Sequence, residues 1–268
     1  MKLGIIIRCF NRSDYLYITL SQLFQCNGIK KSRVHLFFDG GLTEQERINI
    51  HSVISHFPIY KICFATQKMW QLENMIFIMD MMFKEDYDAV LFMPCDLLIS
   101  KRAIRWLYET EKNAFFYCLY LNHIDEPIHY STYPSLLGYM INKESWDFMS
   151  LLMKSKSYLG ISHNTELPIY KVRHLELPLY KFQDDLIIAQ LAEKYSLLAK
   201  FPPENMSFHF GMESSFKGQY GDSELKDILF CGNRKRWLNN LYKIMQKRPE
   251  YLLKYNVFGD FNDGFIEA

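Results

Sequence analysis

Several short segments carry residue types that chemistry needs. Arg8-Cys9-Phe10-Asn11-Arg12 places two guanidiniums close together, and a guanidinium offers fixed, charge-assisted donors suited to phosphate. Arg12 reads equally as a surface arginine. Asp39-Gly40-Gly41 offers a carboxylate for a ribose hydroxyl or base N–H, beside backbone that a glycine frees to approach a ligand. An Asp-Gly turn is the other reading of that stretch. Asp96, in LFMPCDLLIS, stands at the end of an apolar run, directly after Pro94 and Cys95. A carboxylate there suits Mg²⁺ or Mn²⁺ bridging two phosphates, whereas a turn or a helix cap shared with Ser100 needs no ligand. Gln183-Asp184-Asp185 opens a helical stretch. One carboxylate would take a proton from a hydroxyl while the other caps the helix, although favourable placement at the helix dipole accounts for acids there too. Ser207–Tyr220, SFHFGMESSFKGQY, combines His209, Ser214, Ser215, Lys217 and two glycines, a composition for a phosphate clamp or for a polar surface loop.

The elements that must position these residues follow from the apolar pattern. Leu3–Ile7, Val34–Phe38, Ile59–Ala65 and Ala89–Pro94 read as buried strands. Between them, Tyr15–Phe24, Thr43–His56 and Asn74–Phe83 repeat apolar residues at helical spacing. Ser13 is expected to cap the first helix, and Thr43 with Glu46 forms a capping-box pattern. Strands alternating with helices imply a parallel sheet with crossover helices, and ligands of such sheets bind beyond the carboxyl ends of the strands. Arg8–Arg12, Asp39–Gly41 and Cys95-Asp96 all fall at those ends. The second half is less regular. Ala114–Leu121 and Leu136–Ile141 read as strands, Asn122–Tyr133 as a polar segment, and helices begin near Lys143 and Asp185. Residues 163–180 read as a loop or short strands, and 234–255 as one or two helices.

Bulk composition narrows the function. The 268 residues are 49% hydrophobic and 16% aromatic, enough for a folded core and unlike a disordered chain. A formal charge of +1 supplies no global field for nucleic acid. The six cysteines lack metal-type spacing and read as reduced buried thiols. The apolar run near the N-terminus is too short for a signal peptide, and no run reaches bilayer length. A soluble, cytoplasmic protein of bacterial or viral origin is expected. Arg234-Lys235-Arg236-Trp237 is a solvated helix face or a peripheral contact with anionic lipid.

The order of these parts resembles nucleotide-sugar glycosyltransferases of the GT-A fold, most closely the inverting branch containing N-acetylglucosaminyltransferase I and its O-mannose-linked relatives. IIIRCFNRSDYLYITLSQL is similar to the family's opening strand, arginine loop and helix; HLFFDGG resembles the strand whose Asp contacts uridine. YDAVLFMPCDLLISKRAIRWL resembles the segment with the acidic metal motif, and SLLGYMINKESW the Gly-aromatic acceptor-side segment. FQDDLIIAQL is similar to the segment with the catalytic base, and FPPENMSFHFGMESSFKGQY to the loop that closes over the diphosphate. The resemblance runs over roughly residues 3–228. It implies that Arg12 binds pyrophosphate, Asp39 contacts uridine, Asp96 is the last acid of a Glu-Asp-Asp motif, and Asp184, or Asp185 beside it, is the base. Pro94 and Cys95 replace the first two acids of that motif, which bears on metal dependence and donor preference.

The expectation is therefore an α/β, GT-A (Rossmann-like) single domain with a mixed, mostly parallel sheet flanked by helices. It would span 1–228, with a nucleotide-sugar half at about 1–110, an acceptor half at about 111–228, and a helical extension over 229–268. Expected roles are catalysis by Asp184 or Asp185, and a Mn²⁺ or Mg²⁺ on Asp96 and His209. Contacts to a UDP-sugar are expected from Arg8, Cys9, Phe10, Asn11, Arg12, Asp39, Gly40, Cys95, Ser214, Ser215 and Lys217. The reaction implied is inverting transfer of a sugar, UDP-GlcNAc being one candidate donor, to a hydroxyl on a glycan or glycoconjugate acceptor. Two alternatives remain at this stage: an inactive nucleotide-sugar-binding module, and a sugar nucleotidyltransferase. The second would ordinarily carry a glycine-rich loop after the first strand, and Arg8–Arg12 has no glycine.

Overall fold

The structure is a computed structural model describing residues 1–69, 71–119, 130–132, 134, 137–155, 184–203 and 206–209, with the backbone alone of Asp185, Leu186, Phe208 and His209. Its frame is an eight-stranded sheet. The strands are β1 (Leu3–Cys9), β2 (Arg33–Phe38), β3 (Lys61–Phe64), β4 (Ala89–Pro94), β6 (Phe116–Cys118), β7 (Tyr130–Ser131), β8 (Tyr139–Asn142) and β9 (Ala199–Lys200), in the order β3-β2-β1-β4-β8-β6-β9-β7. β3, β2, β1, β4, β6 and β9 run one way, and β8 and β7 run against them. The strands expected in both halves thus join one mixed, mostly parallel sheet.

Central position explains the composition of β1. It pairs with β2 on one side and β4 on the other, so both faces are covered, and Ile5, Ile6 and Ile7 are fully buried. Each such side chain contributes about 1.5–3 kcal/mol on leaving water. One face carries Ile5, Ile7, Leu36, Leu91 and Met93 against α1 (Ser13–Leu23), α2 (Glu44–Ile54) and α4 (Ala103–Glu109). The opposite face carries Ile6, Phe37, Phe92 and Tyr139 against α3 (Gln71–Lys84), α5 (Lys143–Lys154) and α6 (Asp184–Lys194). Trp146 on α5 donates its indole N–H to Asp80 on α3 at 2.9 Å, tying two of these helices together.

The local signals hold in part. Thr43 and Glu46 form the expected capping box. Ser13 does not cap α1: Arg12 occupies the N-cap position, without a side-chain cap, and Ser13 is already helical. β1 runs on to Cys9 because its neighbours continue beside it, pairing Arg8 with Pro94 and Cys9 with Phe38. β8 starts at Tyr139 rather than Leu136, since Gly138 takes a φ of +79° that a strand does not use. The polar segment Asn122–Tyr133 contains a short strand, β7. A separate two-stranded sheet pairs β5 (Leu97–Ile99) with β10 (Ser207–His209), antiparallel. Among the described residues no helix is long and apolar enough to cross a membrane. Residues 163–180 and 210–268 lie outside the described residues, and with them the expected helical extension and basic-aromatic cluster.

Candidate active site

Strand order places the site. β1 leads to β2 on one side, whereas β4 lies on the other. The crevice at the carboxyl ends of β1 and β4 is therefore the switch point where open α/β sheets bind ligands. Backbone bonds draw the strand ends together: the Cys95 N–H donates to the Arg8 carbonyl and the Asp39 N–H to the Cys9 carbonyl, each at 3.1 Å.

Two arginine–carboxylate pairs converge there. Arg12, between β1 and α1, has Nη1 3.0 Å from Oδ2 of Asp96 in the turn joining β4 to β5. Its guanidinium also lies over the Tyr15 ring, 5.2 Å from the centroid, a placement that favours a cation. Arg8, the next-to-last residue of β1, has Nη1 2.5 Å from Oδ2 of Asp184, the first residue of α6. It too is stacked, 5.2 Å from the centroid of Phe92. Asp96 and Asp184 keep only 10% and 11% of their side-chain surface exposed. Carboxylates so removed from water need a charged partner, and each has one.

The Gly-aromatic segment reaches the same place. A Cβ on Gly138 would stand 2.7 Å from Leu97 Cδ2, so the segment packs directly on the residue after Asp96. The next residue, Tyr139, is buried, and its hydroxyl has no hydrogen-bond partner among the described residues. Its ring lies 5.6 Å from that of Phe92, on which Arg8 stacks. Burial first, then the nearby Asp184 carboxylate, push the phenol above the usual tyrosine range, with Arg8 opposing. Sequence reasoning named the Gly-aromatic segment but not Tyr139; a tyrosine at an otherwise apolar strand position was the available signal.

Other expected residues are placed differently from one another. Asp39 Oδ1 accepts from the N–H of Gly40 at 2.8 Å and of Met69 at 3.1 Å, which pins the chain after β3 to the end of β2. Gly40 makes room for the chain itself: its Cβ would fall 2.1 Å from the Gln67 carbonyl carbon. Gly41 has a φ of +88°, and a Cβ there would meet none of the described residues within 4 Å. Asn11 donates to Glu46 at 2.8 Å, bracing α2, and Phe10 lies under Lys68, whose Nζ is 5.6 Å from the ring. Cys9 and Cys95 are buried in the core. Burial, then hydrogen bonding to Cys95, raise the Cys9 thiol well above its ordinary value.

The described side chains around Asp96 do not by themselves form a divalent-cation site. Among the described residues no three His, Cys, Asp or Glu side chains cluster for a metal. Pro94 has no side-chain ligand atom, the Cys95 carbonyl accepts from Thr19 Oγ1 at 2.8 Å, and Arg12 sits on Asp96. His209 comes near by its backbone, paired with Leu97. The His209 and Asp185 side chains, with Ser214, Ser215 and Lys217, lie outside the described residues.

No family model matches the chain, and no curated protein matches it. Solved structures do. S. aureus TarS 1–349 is 12% identical over 96% of this chain and 80% of its own, with a TM-score of 0.51. The glycosyltransferase GlyE of Streptococcus pneumoniae TIGR4 is 11% identical over 98% of this chain and 66% of its own, at 0.50. The mannosyltransferase PcManGT of Pyrobaculum calidifontis, in complex with GDP-Man and Mn²⁺, is 10% identical at 0.43. That match covers 57% of this chain, which spans about half, 46%, of that protein's length. The chain has a glycosyltransferase fold of the GT-A type; identities this low speak of fold alone.

Proposed function

We propose that the protein transfers a sugar from a UDP-sugar to an acceptor hydroxyl with inversion. The observation that carries this reading is the convergence of Asp96 and Asp184, from the end of β4 and the start of α6, on two arginines of one strand-end segment. The glycosyltransferase fold supports it. The donor diphosphate would lie at the switch point, near Arg12 and Asp96. Uridine and ribose would extend toward Asp39, whose Oδ2 takes no hydrogen bond among the described residues.

Chemistry would then proceed on the other side of the donor sugar. The acceptor oxygen attacks the anomeric carbon in line, its proton passes to the Asp184 carboxylate, and the bond from the anomeric carbon to the diphosphate breaks. Arg8 holds Asp184 in one orientation throughout. A thermal-shift screen of nucleotide sugars, followed by measurement of nucleotide release, tests the proposal, since a ligand of the folded state raises Tm. At least one UDP-sugar should raise Tm and be turned over; a screen with neither effect contradicts the proposal. Pro94 and Cys95, standing where the resembling family has acids, favour a second reading, a binding module. A Tm shift without turnover would select it.

A further inference from the structure

Arg12 places a positive charge against Asp96, the residue that the family resemblance matches to a metal-binding acid. We infer that the Arg12 guanidinium, seated on Asp96, stands in for a divalent cation at the donor diphosphate, so that a nucleoside diphosphate binds without metal. The inference rests on the glycosyltransferase reading for its ligand, and on this chain's own residues for its chemistry.

Four observations lead to it. Asp96 is nearly buried and its Oδ2 lies 3.0 Å from Arg12 Nη1, so a dication on that oxygen would have to displace the arginine or sit against a like charge. Pro94 and Cys95 precede Asp96, where the resembling family has acids that would offset that repulsion. The Cys95 carbonyl accepts from Thr19, and the Cys95 thiol is packed in the core. Finally, Arg12 is held in place before any ligand arrives, by Asp96 on one side and the Tyr15 ring on the other.

Arginine fits the substitution. Its charge is permanent and its planar donors match phosphate oxygens, so it neutralises a diphosphate without coordination. In the transfer step the acceptor proton goes to Asp184, the acceptor oxygen–carbon bond forms, and the bond to the diphosphate breaks. The electron pair leaves with the diphosphate, and Arg12 meets the negative charge that develops there.

Calorimetric titration of the full chain with UDP and with GDP, in EDTA and then in Mn²⁺, tests the inference. At least one nucleotide should bind with the same Kd in both buffers, and the Mn²⁺ electron paramagnetic resonance signal should be unchanged by adding protein alone. Arg12→Ala should weaken nucleotide binding about 10- to 100-fold, the loss expected of a charge-assisted contact, with Arg12→Lys between it and the wild type. Binding that requires Mn²⁺ overturns the inference and leaves the glycosyltransferase reading standing. Absence of UDP and GDP binding in both buffers overturns the two together. The buffer comparison uses the wild type, so it decides the matter even if the variants fold poorly.

Discussion

Arg8 and Asp184 are 176 positions apart in the chain, and their side chains meet with Nη1 2.5 Å from Oδ2. The contact joins the central strand to the first residue of α6, across the part of the sheet where the two halves of the chain come together. A carboxylate held this way by one guanidinium has a defined direction, which a proton acceptor requires.

Breaking that pair should cost stability as well as function. Both groups are partly buried, so Arg8→Ala removes a guanidinium from a nearly buried carboxylate and should destabilise the fold by about 2 kcal/mol. A double-mutant cycle with Asp184→Asn, followed by urea unfolding, should show that the two losses do not add. Additive losses would mean that the contact contributes nothing of its own.

Alanine at Gly40 should cost more than alanine at Gly41, and for a different reason. Gly40→Ala drives a methyl into the Gln67 backbone and should cost at least about 2 kcal/mol, the upper part of the overpacking range. Gly41→Ala, at a φ of +88°, meets none of the described residues within 4 Å and should cost only about 1–2 kcal/mol of backbone strain. Comparing the two denaturation midpoints checks the order.

Tyr139→Phe should separate stability from activity. Removing a buried hydroxyl that has no partner among the described residues should be neutral, or stabilising by up to about 1 kcal/mol. The Asp184 carboxylate is near enough to raise the pKa of the Tyr139 phenol electrostatically, so transfer should nonetheless fall. A stable variant with unchanged kcat and KM would show that the hydroxyl meets no substrate.

Stability should decline with acid through His35. Its Nε2 is 2.7 Å from the Tyr87 hydroxyl in the core. Burial chiefly, then Lys61 and Arg33 against the opposing Glu85, lower its pKa from 6.5 to about 4. The unfolded chain therefore takes up a proton near 6.5 that the folded chain refuses until about 4. The contribution is complete above that window and is lost as pH falls through it. Urea midpoints at pH 7.5, 5.5 and 4.5 should fall in that order, with a shallower fall in His35→Gln.

The parallel half of the sheet was readable because a strand buried on both faces is a continuous apolar run that stops where polar residues begin. Ala89–Pro94 was legible to the residue for that reason, and the strand ends pointed to Arg12, Asp39 and Asp96. β5 and β10 were not, since each has three residues and its partner lies more than a hundred positions away. The pairing of Arg12 with Asp96 was hidden for the same physical reason: crossover connections set it, not local spacing. Gly40 was read for its freedom, whereas the close passage of Gln67 is what requires it.

The most direct test of the central claim compares wild type with Asp184→Asn for donor binding and for sugar transfer, using the UDP-sugar found by screening. Donor affinity should be unchanged and the transfer rate lower by about 10²–10⁴-fold, the contribution of a general base. Transfer by Asp184→Asn at the wild-type rate would contradict the claim.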